Sequence, residues 1–536
     1  MKPSILKIGL TYLLLICLFG CTSDFEKMNK NPFETTHIIP GYLIRNVLQQ
    51  GLVNMGIWEY QVGDNLHVHF YAQYFASVNS GFVTDRYGWK SSWIHDGFWY
   101  SYYSNTTRIR HEVGDWAKEH PEWDNMYQIL RICDAMCAAR TTDMFGDVPY
   151  SEAGQGIPIP KFDSQKDIYY TLFTELKEAV AALKSNTNQE SYTELQDIYY
   201  KGDVNKWIKL ANSLRLRLAL RISFIDPEKA KQEGEAALTD VMMESNADNA
   251  GALVSLIENS NGHPLYYIGN WDDFRASKTI IDILQKESSV ADPRLPLWFG
   301  KTQGYVAGTF DHEYHGVPNG LLASQMTEEN NKALNNSAVW GFYFNKEWNL
   351  QKKGDLEGTD GRPTQEGVYK PLVCMNYAEV CLLKAEAALR GWAGAGDAQT
   401  QYEKGIRASF AEFREGVDAN LYTTENDDLY IHSGNVKWDP SANFETKLKK
   451  VITQKWLALY PNGAEAWSEF RRTGYPVLNP VQASDISVIT EGQFIKKVPY
   501  TDQEISSNPN ALDPSLNQGQ GNGQNVRVWW DTGRYK

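Results

Sequence analysis

The chain has 536 residues and a formal net charge of −14, with 66 acidic against 52 basic side chains. That surplus of carboxylates makes nucleic acid and anionic lipid headgroups poor partners. Length alone allows two or three domains, but no low-complexity linker divides the chain, so a single large domain with loop insertions is expected.

The first residues carry a targeting signal. Lys2 and Lys7 give a basic start, and residues 8–19 form an apolar run broken mainly by Gly9 and Thr11. The run is short for a permanent membrane helix and suits an export signal. It ends in Leu18-Phe19-Gly20-Cys21, a small residue directly before a cysteine, which is the pattern of a bacterial lipobox, although Phe19 is bulkier than usual there. Residues 1–20 are therefore expected to be a lipoprotein signal peptide, with Cys21 lipidated. Removing 20 of 536 residues leaves 516, and losing Lys2 and Lys7 takes the net charge to −16. Acyl chains contribute roughly 0.8 kcal/mol per buried methylene, so two or three of them make a lasting anchor. A plain secretory signal with an incidental cysteine is the alternative. Residues 21–33, with Asp24 and Glu26, read as a polar tether, and 34–536 as the folded domain.

From there the dominant period is helical. A first helix is expected over 123–142. In 164–184 the positions Ile168, Leu172, Leu176, Val180 and Leu183 fall on one stripe. Asp203 can cap the next helix, where Trp207, Leu210, Ala211, Leu214 and Leu218 make another. A polar turn separates these two stripes, which predicts an antiparallel pair. The unit recurs: Ala378, Cys381, Leu382, Ala385 and Leu389, then a glycine-rich turn at 391–396, then Tyr402, Ile406, Ser409 and Phe410. Leu448, Ile452, Trp456 and Leu459 begin a further pair, Pro461-Asn462-Gly463 turns the chain, and Trp467 and Phe470 continue it. Small residues such as Ala385 and Ala388 let paired backbones approach, the logic of an irregular tetratricopeptide-type scaffold. Segments 300–367, 420–443 and 506–525 show no sustained period, and binding surfaces commonly sit on such loops.

Chemistry is mostly absent. No phosphate loop, nucleophile elbow or H-E-x-x-H zinc motif occurs; His312-Glu313-Tyr314-His315 has the wrong spacing, and His67 and His69 read as solvated loop residues. Cys133, Cys137, Cys374 and Cys381 read as small buried apolar residues rather than metal ligands or disulfides. No metal or other cofactor is expected, though a structural calcium is left open. Aromatic residues are 13% of the chain, with 17 Trp and 30 Tyr, more than interior packing need use. They cluster at Trp89, Trp93 and 98–103, at Trp271 with Phe274 and Arg275, and at Trp340, Phe342, Tyr343 and Trp348. A sugar ring has an apolar C–H face and a polar rim, so an exposed aromatic plane flanked by polar side chains holds it well. Trp89, Trp93, Trp271, Arg275 and Trp340 are the candidate ligand-binding residues. Core packing is the competing role, and the stronger one for 98–103.

Five segments together carry a resemblance. They are Asp143-Met144-Phe145-Gly146-Asp147-Val148-Pro149-Tyr150-Ser151-Glu152; Asp292-Pro293-Arg294-Leu295-Pro296; Tyr377-Ala378-Glu379 with Lys384-Ala385-Glu386-Ala387 and Arg390-Gly391-Trp392; Tyr460-Pro461-Asn462-Gly463-Ala464-Glu465-Ala466-Trp467-Ser468-Glu469-Phe470-Arg471-Arg472-Thr473-Gly474; and Arg527-Val528-Trp529-Trp530-Asp531. With the lipobox they resemble the SusD/RagB family of outer-membrane nutrient-binding lipoproteins, over nearly the whole mature chain. The resemblance implies a mainly α fold of about four tetratricopeptide-like hairpins packed against a loop-rich, aromatic-rich half. It also implies a place on the extracellular face of the outer membrane in Bacteroidota, as a lid on a SusC-like TonB-dependent transporter. The family is not catalytic. Its ligands are mostly oligosaccharides, some members taking peptides. Glu465, Trp467, Arg471 and Arg472 are implied to form a buried network in the last hairpin. The expected function is thus glycan binding for uptake, with peptide binding as the alternative and a glycosidase as a third reading.

Overall fold

The computed structural model describes residues 40–52, 56–186, 193, 196–253, 263–269, 271–339, 370–417, 422–490 and 492–535. The signal, Cys21, the tether, Trp340 and the rest of 340–367 lie outside the described residues.

Eight helices make four hairpins: α1 (Asp124–Phe145) with α2 (Gln165–Ser185), α3 (Val204–Arg221) with α4 (Pro227–Leu238), α5 (Tyr377–Leu389) with α6 (Ala398–Arg414), and α7 (Phe444–Ala458) with α8 (Gly463–Thr473). Helices α2 to α8 each start at a side chain that accepts a hydrogen bond from the first turn: Ser164, Asp203, Asp226, Asn376, Asp397, Asn443 and Asn462. Such caps satisfy amide groups that the helix itself leaves unpaired. Gly474, at φ +79°, closes α8 in the left-handed region that glycine reaches without strain. The predicted stripes face inward, Leu172, Leu176, Trp207, Leu214, Ile406 and Trp456 among the buried residues. Hairpin α5/α6 is tight because Gly405 faces Leu382, where a Cβ would come within 2.7 Å of that side chain.

The expected α2/α3 hairpin is corrected: these helices touch, but α2 packs chiefly on α1 and α3 on α4. The reason lies in α4, PEKAKQEGEAAL, a helix too polar to show a stripe. It follows α3 after a short turn capped by Asp226, and Gly234 on its inner side lets the Trp392 ring lie against the backbone.

The other half holds little sheet. Among the described residues six strands occur, β1 (Phe75–Ser77), β2 (Val148–Pro149), β3 (Phe162–Asp163), β4 (Ala250–Leu253), β5 (Phe274–Ala276) and β6 (Pro371–Met375). They pair antiparallel as β1–β5, β2–β3 and β4–β6. Two helical stretches, residues 57–71 and 91–119, cross where Gly63 meets Gly97; a Cβ on Gly97 would lie 2.5 Å from the Gly63 Cα.

A buried ion network joins the hairpins. Arg221 on α3 reaches Asp143 of α1 at 3.2 Å, Glu465 of α8 at 2.6 Å, and Glu469. Arg217 pairs with Glu379 of α5 at 2.5 Å, and Arg472 with both Glu386 and Glu469 at 2.6 Å. Lys455 of α7 sits 3.4 to 3.6 Å from Glu379, Glu465 and Glu469. Burial alone would push the Glu469 carboxyl up, but Arg472, Lys455 and Arg221 outweigh it and hold its pKa far below the usual range. Arg471 lies on the Trp467 ring at 3.6 Å. The network therefore extends well past the last hairpin.

The four cysteines, Cys133, Cys137, Cys374 and Cys381, are free and buried. His67 and His69 are not solvated, a correction. Both are fully buried, and desolvation lowers their pKa values to about 4 and about 3. Replacing one member of the network leaves buried charges uncompensated. Arg221→Met is expected to lower unfolding free energy by about 3–5 kcal/mol, read by urea denaturation.

Candidate glycan-binding face

Strands β1 and β5 form a short ribbon with Phe75 opposite Ala276 and Ser77 opposite Phe274. The ribbon is tied to the helical half. Tyr74 Oη donates to the Trp456 carbonyl at 2.5 Å, and Trp456 Nε1 donates to the Ala72 carbonyl at 3.1 Å. Phe75 packs edge-on against Phe274 at 4.9 Å.

At one end of the ribbon, the loop after β1 crosses the loop before β5. Val78 N donates to the Asp273 carbonyl at 3.0 Å, and Asn79 Nδ2 donates to Asp273 Oδ1 at 2.8 Å. The Asn79 carboxamide oxygen in turn accepts from Gly81 N at 2.9 Å. Asp272 takes the left-handed backbone at φ +64°, and beside it Trp271 stands 48% exposed. Arg275 is 2% exposed, and its guanidinium is held from three sides: Asp272 Oδ1 at 2.5 Å, the Ala333 carbonyl at 3.1 Å and the Phe274 carbonyl at 2.8 Å. It works as a strut that fixes Asp272 and the 333 loop about the tryptophan.

Further aromatic side chains stand along the first loop. Phe82, whose amide donates to the Asn79 carbonyl, meets Trp93 edge-on at 6.0 Å. Trp93 is half-buried, with the Lys90 ammonium 5.6 Å from its ring and the His67 ring behind it at 6.3 Å. Trp89 is half-buried on the same loop and packs against the core. Trp271 and Arg275 are thus tied through Asp273 and Asn79 to the loop after β1, and that loop meets Trp93 through Phe82. Trp340 lies outside the described residues. In the 98–103 cluster Phe98, Trp99 and Tyr102 are core, while Tyr100 points outward. Asn79, Phe82, Asp85, Asp273 and Asn319 carry no local signal that singles them out.

Asp85 pins the third side. Its Oδ2 accepts from Ser77 N and Gly320 N, each at 3.0 Å, and its Oδ1 accepts from Asn319 Nδ2 at 2.7 Å. Asn319 also donates to the Phe75 carbonyl at 2.8 Å. One carboxyl group thereby fixes the 317–321 segment to the ribbon. Among the described residues, no group of three or more His, Cys, Asp or Glu side chains could hold a metal ion.

Comparison with known proteins bears on this geometry. A family model described as SusD-like, "Susd and RagB outer membrane lipoprotein", matches residues 23–531. The chain belongs to the SusD/RagB family. Among solved SusD homologues, a chitin-binding one from Flavobacterium johnsoniae is 29% identical, with TM-score 0.74, covering 91% of this chain and 97% of its own. A second structure, described as a chitin-binding protein, is 28% identical with TM-score 0.75, covering 92% of this chain and 100% of its own. A SusD homologue from Bacteroides uniformis is 26% identical with TM-score 0.76, covering 92% and 99%. No curated protein matches. The segments that carry the SusD resemblance include interior joints here. Trp530 Nε1 donates to Asp143 Oδ1 at 2.6 Å, and Arg294 pairs with Asp292 at 2.6 Å while donating to Ser409 and Gln454.

Burial raises the Asp85 pKa from 3.8 to about 6, against the hydrogen bonds from Gly320, Asn319 and Ser77 and the charge of Arg86. A carboxyl with a raised folded-state pKa stabilises the fold fully below 3.8 and loses that contribution as pH rises through about 6. Wild-type stability relative to Asp85→Asn is therefore expected to rise as pH falls from 7 to 4.5. Paired urea titrations across that range check it; a constant difference would contradict the buried carboxyl.

Proposed function

We propose that this protein is a non-catalytic surface lipoprotein that binds a glycan on the Trp271 face and hands it to a SusC-like TonB-dependent transporter. The observation that carries the reading is an indole left half-exposed on a rigidly held turn. Trp271 has acidic and amide groups around it, in Asp272, Asp273 and Asn79. An aromatic plane with polar groups at its rim suits the C–H face and hydroxyls of a sugar ring. Phe82, Trp93 and Trp89 extend the surface for further rings of an oligosaccharide, and Arg275 acts by positioning Asp272. The chain holds its place by lipid on Cys21 at the extracellular face of the outer membrane.

Two similar structures are described as chitin-binding, which makes β-1,4-linked N-acetylglucosamine oligomers the first ligands to try. Family membership supports a binding role over catalysis. Isothermal titration with soluble chitin oligosaccharides, beside starch, levan and peptide panels, tests the reading. Trp271→Ala is expected to weaken glycan binding by about 2 kcal/mol, roughly thirty-fold, since central aromatic contacts dominate such interfaces. Its melting temperature should not move, because the ring is half in solvent. Unchanged affinity in Trp271→Ala, or release of cleaved product by the wild type, would remove the proposal.

A further inference from the structure

Asp85 stands where the loops of the Trp271 face are pinned together. It lies on the single helical turn Val83–Arg86, ahead of Trp89 and Trp93 on the same loop, and is buried. Every hydrogen bond that its carboxyl makes among the described residues is inbound. The amides of Ser77 and Gly320 donate to Oδ2, and the Asn319 side chain donates to Oδ1. Ser77 passes the restraint on, its hydroxyl donating to the Asn79 carbonyl at 2.9 Å and accepting from Asn79 N at 3.1 Å. Asn79 in turn holds Asp273, two residues from Trp271. On the other side, the amides of Gln482 and Ala483 donate to the carbonyls of Asn319 and Gly320 at 2.9 and 3.0 Å.

An acceptor filled in this way cannot take up a proton without losing a partner. Oδ2 already accepts two amides, so the proton goes to Oδ1 and meets the Asn319 amide nitrogen, a donor facing a donor. Turning the Asn319 amide over gives no relief. Its nitrogen also donates to the Phe75 carbonyl at 2.8 Å, and a flip would set the amide oxygen against that carbonyl. The contact between Asn319 and Asp85 must open, which loosens the 317–321 segment on β1.

The surrounding groups set where this happens. The Arg86 charge opposes protonation, but its guanidinium is turned to Asp485 Oδ1 at 2.9 Å and the Leu321 carbonyl at 3.2 Å. Tyr71, from the helical stretch 57–71, and Tyr87, two residues along the loop, face the carboxyl as phenols that burial keeps neutral. Desolvation outweighs the inbound amides and lifts the Asp85 pKa to about 6.

We propose that Asp85 is a positioning residue of the glycan face: ionised, it locks Ser77 and the 317–321 segment in place, and protonated, it loosens them and weakens glycan binding. The latch itself stands on the hydrogen bonds above, and its effect on binding rests on the Trp271 reading.

Two measurements on the whole mature protein separate latch from ligand. Without ligand, amide hydrogen exchange at Gly320, Gln482 and Ala483, corrected for the intrinsic effect of pH, should quicken about five-fold from pH 7.5 to 5, the worth of one hydrogen bond. With N-acetylchitohexaose, a probe that carries no ionising group, calorimetry should show affinity falling by a similar factor, its midpoint at about pH 6. Asp85→Asn, a fixed stand-in for the protonated carboxyl, should bind about five-fold more weakly at pH 7.5 and lose that step. Asn319→Ala removes the latch from the other side and should lose the step too. An aspartate that served folding alone would lower affinity or stability without moving the pH profile. If a variant fails to fold, exchange in the wild type decides. Level exchange from pH 7.5 to 5, or a step that survives in both variants, overturns the latch. Quickened exchange with no hexaose bound at any pH upholds the latch and removes the chitin ligand.

Discussion

Charges buried beyond reach of water impose the main constraint on this molecule. Each of Arg217, Arg221, Lys455 and Arg472 is within 6% of complete burial, and so are Glu379, Glu386 and Glu469. Desolvating such ions costs several kcal/mol apiece, recovered only when every one finds opposite charge at close range. The geometry that permits this is narrow. Helix α8 must present Glu465, Glu469 and Arg472 to α3, α5 and α7 at once, and a slip of one turn would break all three sets. The network selects the arrangement of the hairpins more than it adds to their stability, which the surrounding indoles and leucines supply.

That selection reaches the Trp271 face through a few hard contacts. Trp456 belongs to α7, whose Lys455 is in the network, and its side chain and carbonyl hold Ala72 and Tyr74 just ahead of β1. Tyr460, at the turn between α7 and α8, stacks on Trp298 at 4.3 Å and meets Tyr74 at 5.3 Å. Strand β1 then pairs with β5, and Trp271 follows on the adjoining loop. A loop carried this way presents its aromatic surface at little ordering cost when a ligand arrives, the condition under which a shallow face binds well.

Local pattern made the helices legible and left the joints hidden. The stripes of α2, α3, α5 and α7 show because each buries one face at helical spacing. Helix α4 does not, because only Ala230, Glu233, Gly234, Ala237 and Leu238 of its twelve residues are buried. His67 and His69 alternate like loop residues yet are interior, since they ride a helical stretch sandwiched between the Trp93 loop and α8. The aromatic candidates were visible as residue types. Their grouping was not, because Asn79 finds Asp273 across 194 positions and Asp85 finds Asn319 across 234. A pairing of that span leaves no mark on either neighbourhood. The lipobox lies before the described residues, so it stands on sequence alone.

Buried carboxyls in this fold are of two kinds, set by whether burial or neighbouring cations win. In the hairpins, Glu386, Glu465 and Glu469 are held ionised against burial by the arginines and the lysine packed on them. At Asp85 under the aromatic face, Asp143 of α1 and Glu412 of α6 burial is the winning influence, and the pKa values of Asp85 and Glu412 rise to about 6 and about 8. Ionised pairs suit a frame, because they tolerate few alternatives. The outcome turns on the cations packed against each carboxyl: Arg472, Lys455 and Arg221 together outweigh burial at Glu469, whereas Lys370 beside Glu412, Arg86 beside Asp85 and Arg221 beside Asp143 do not.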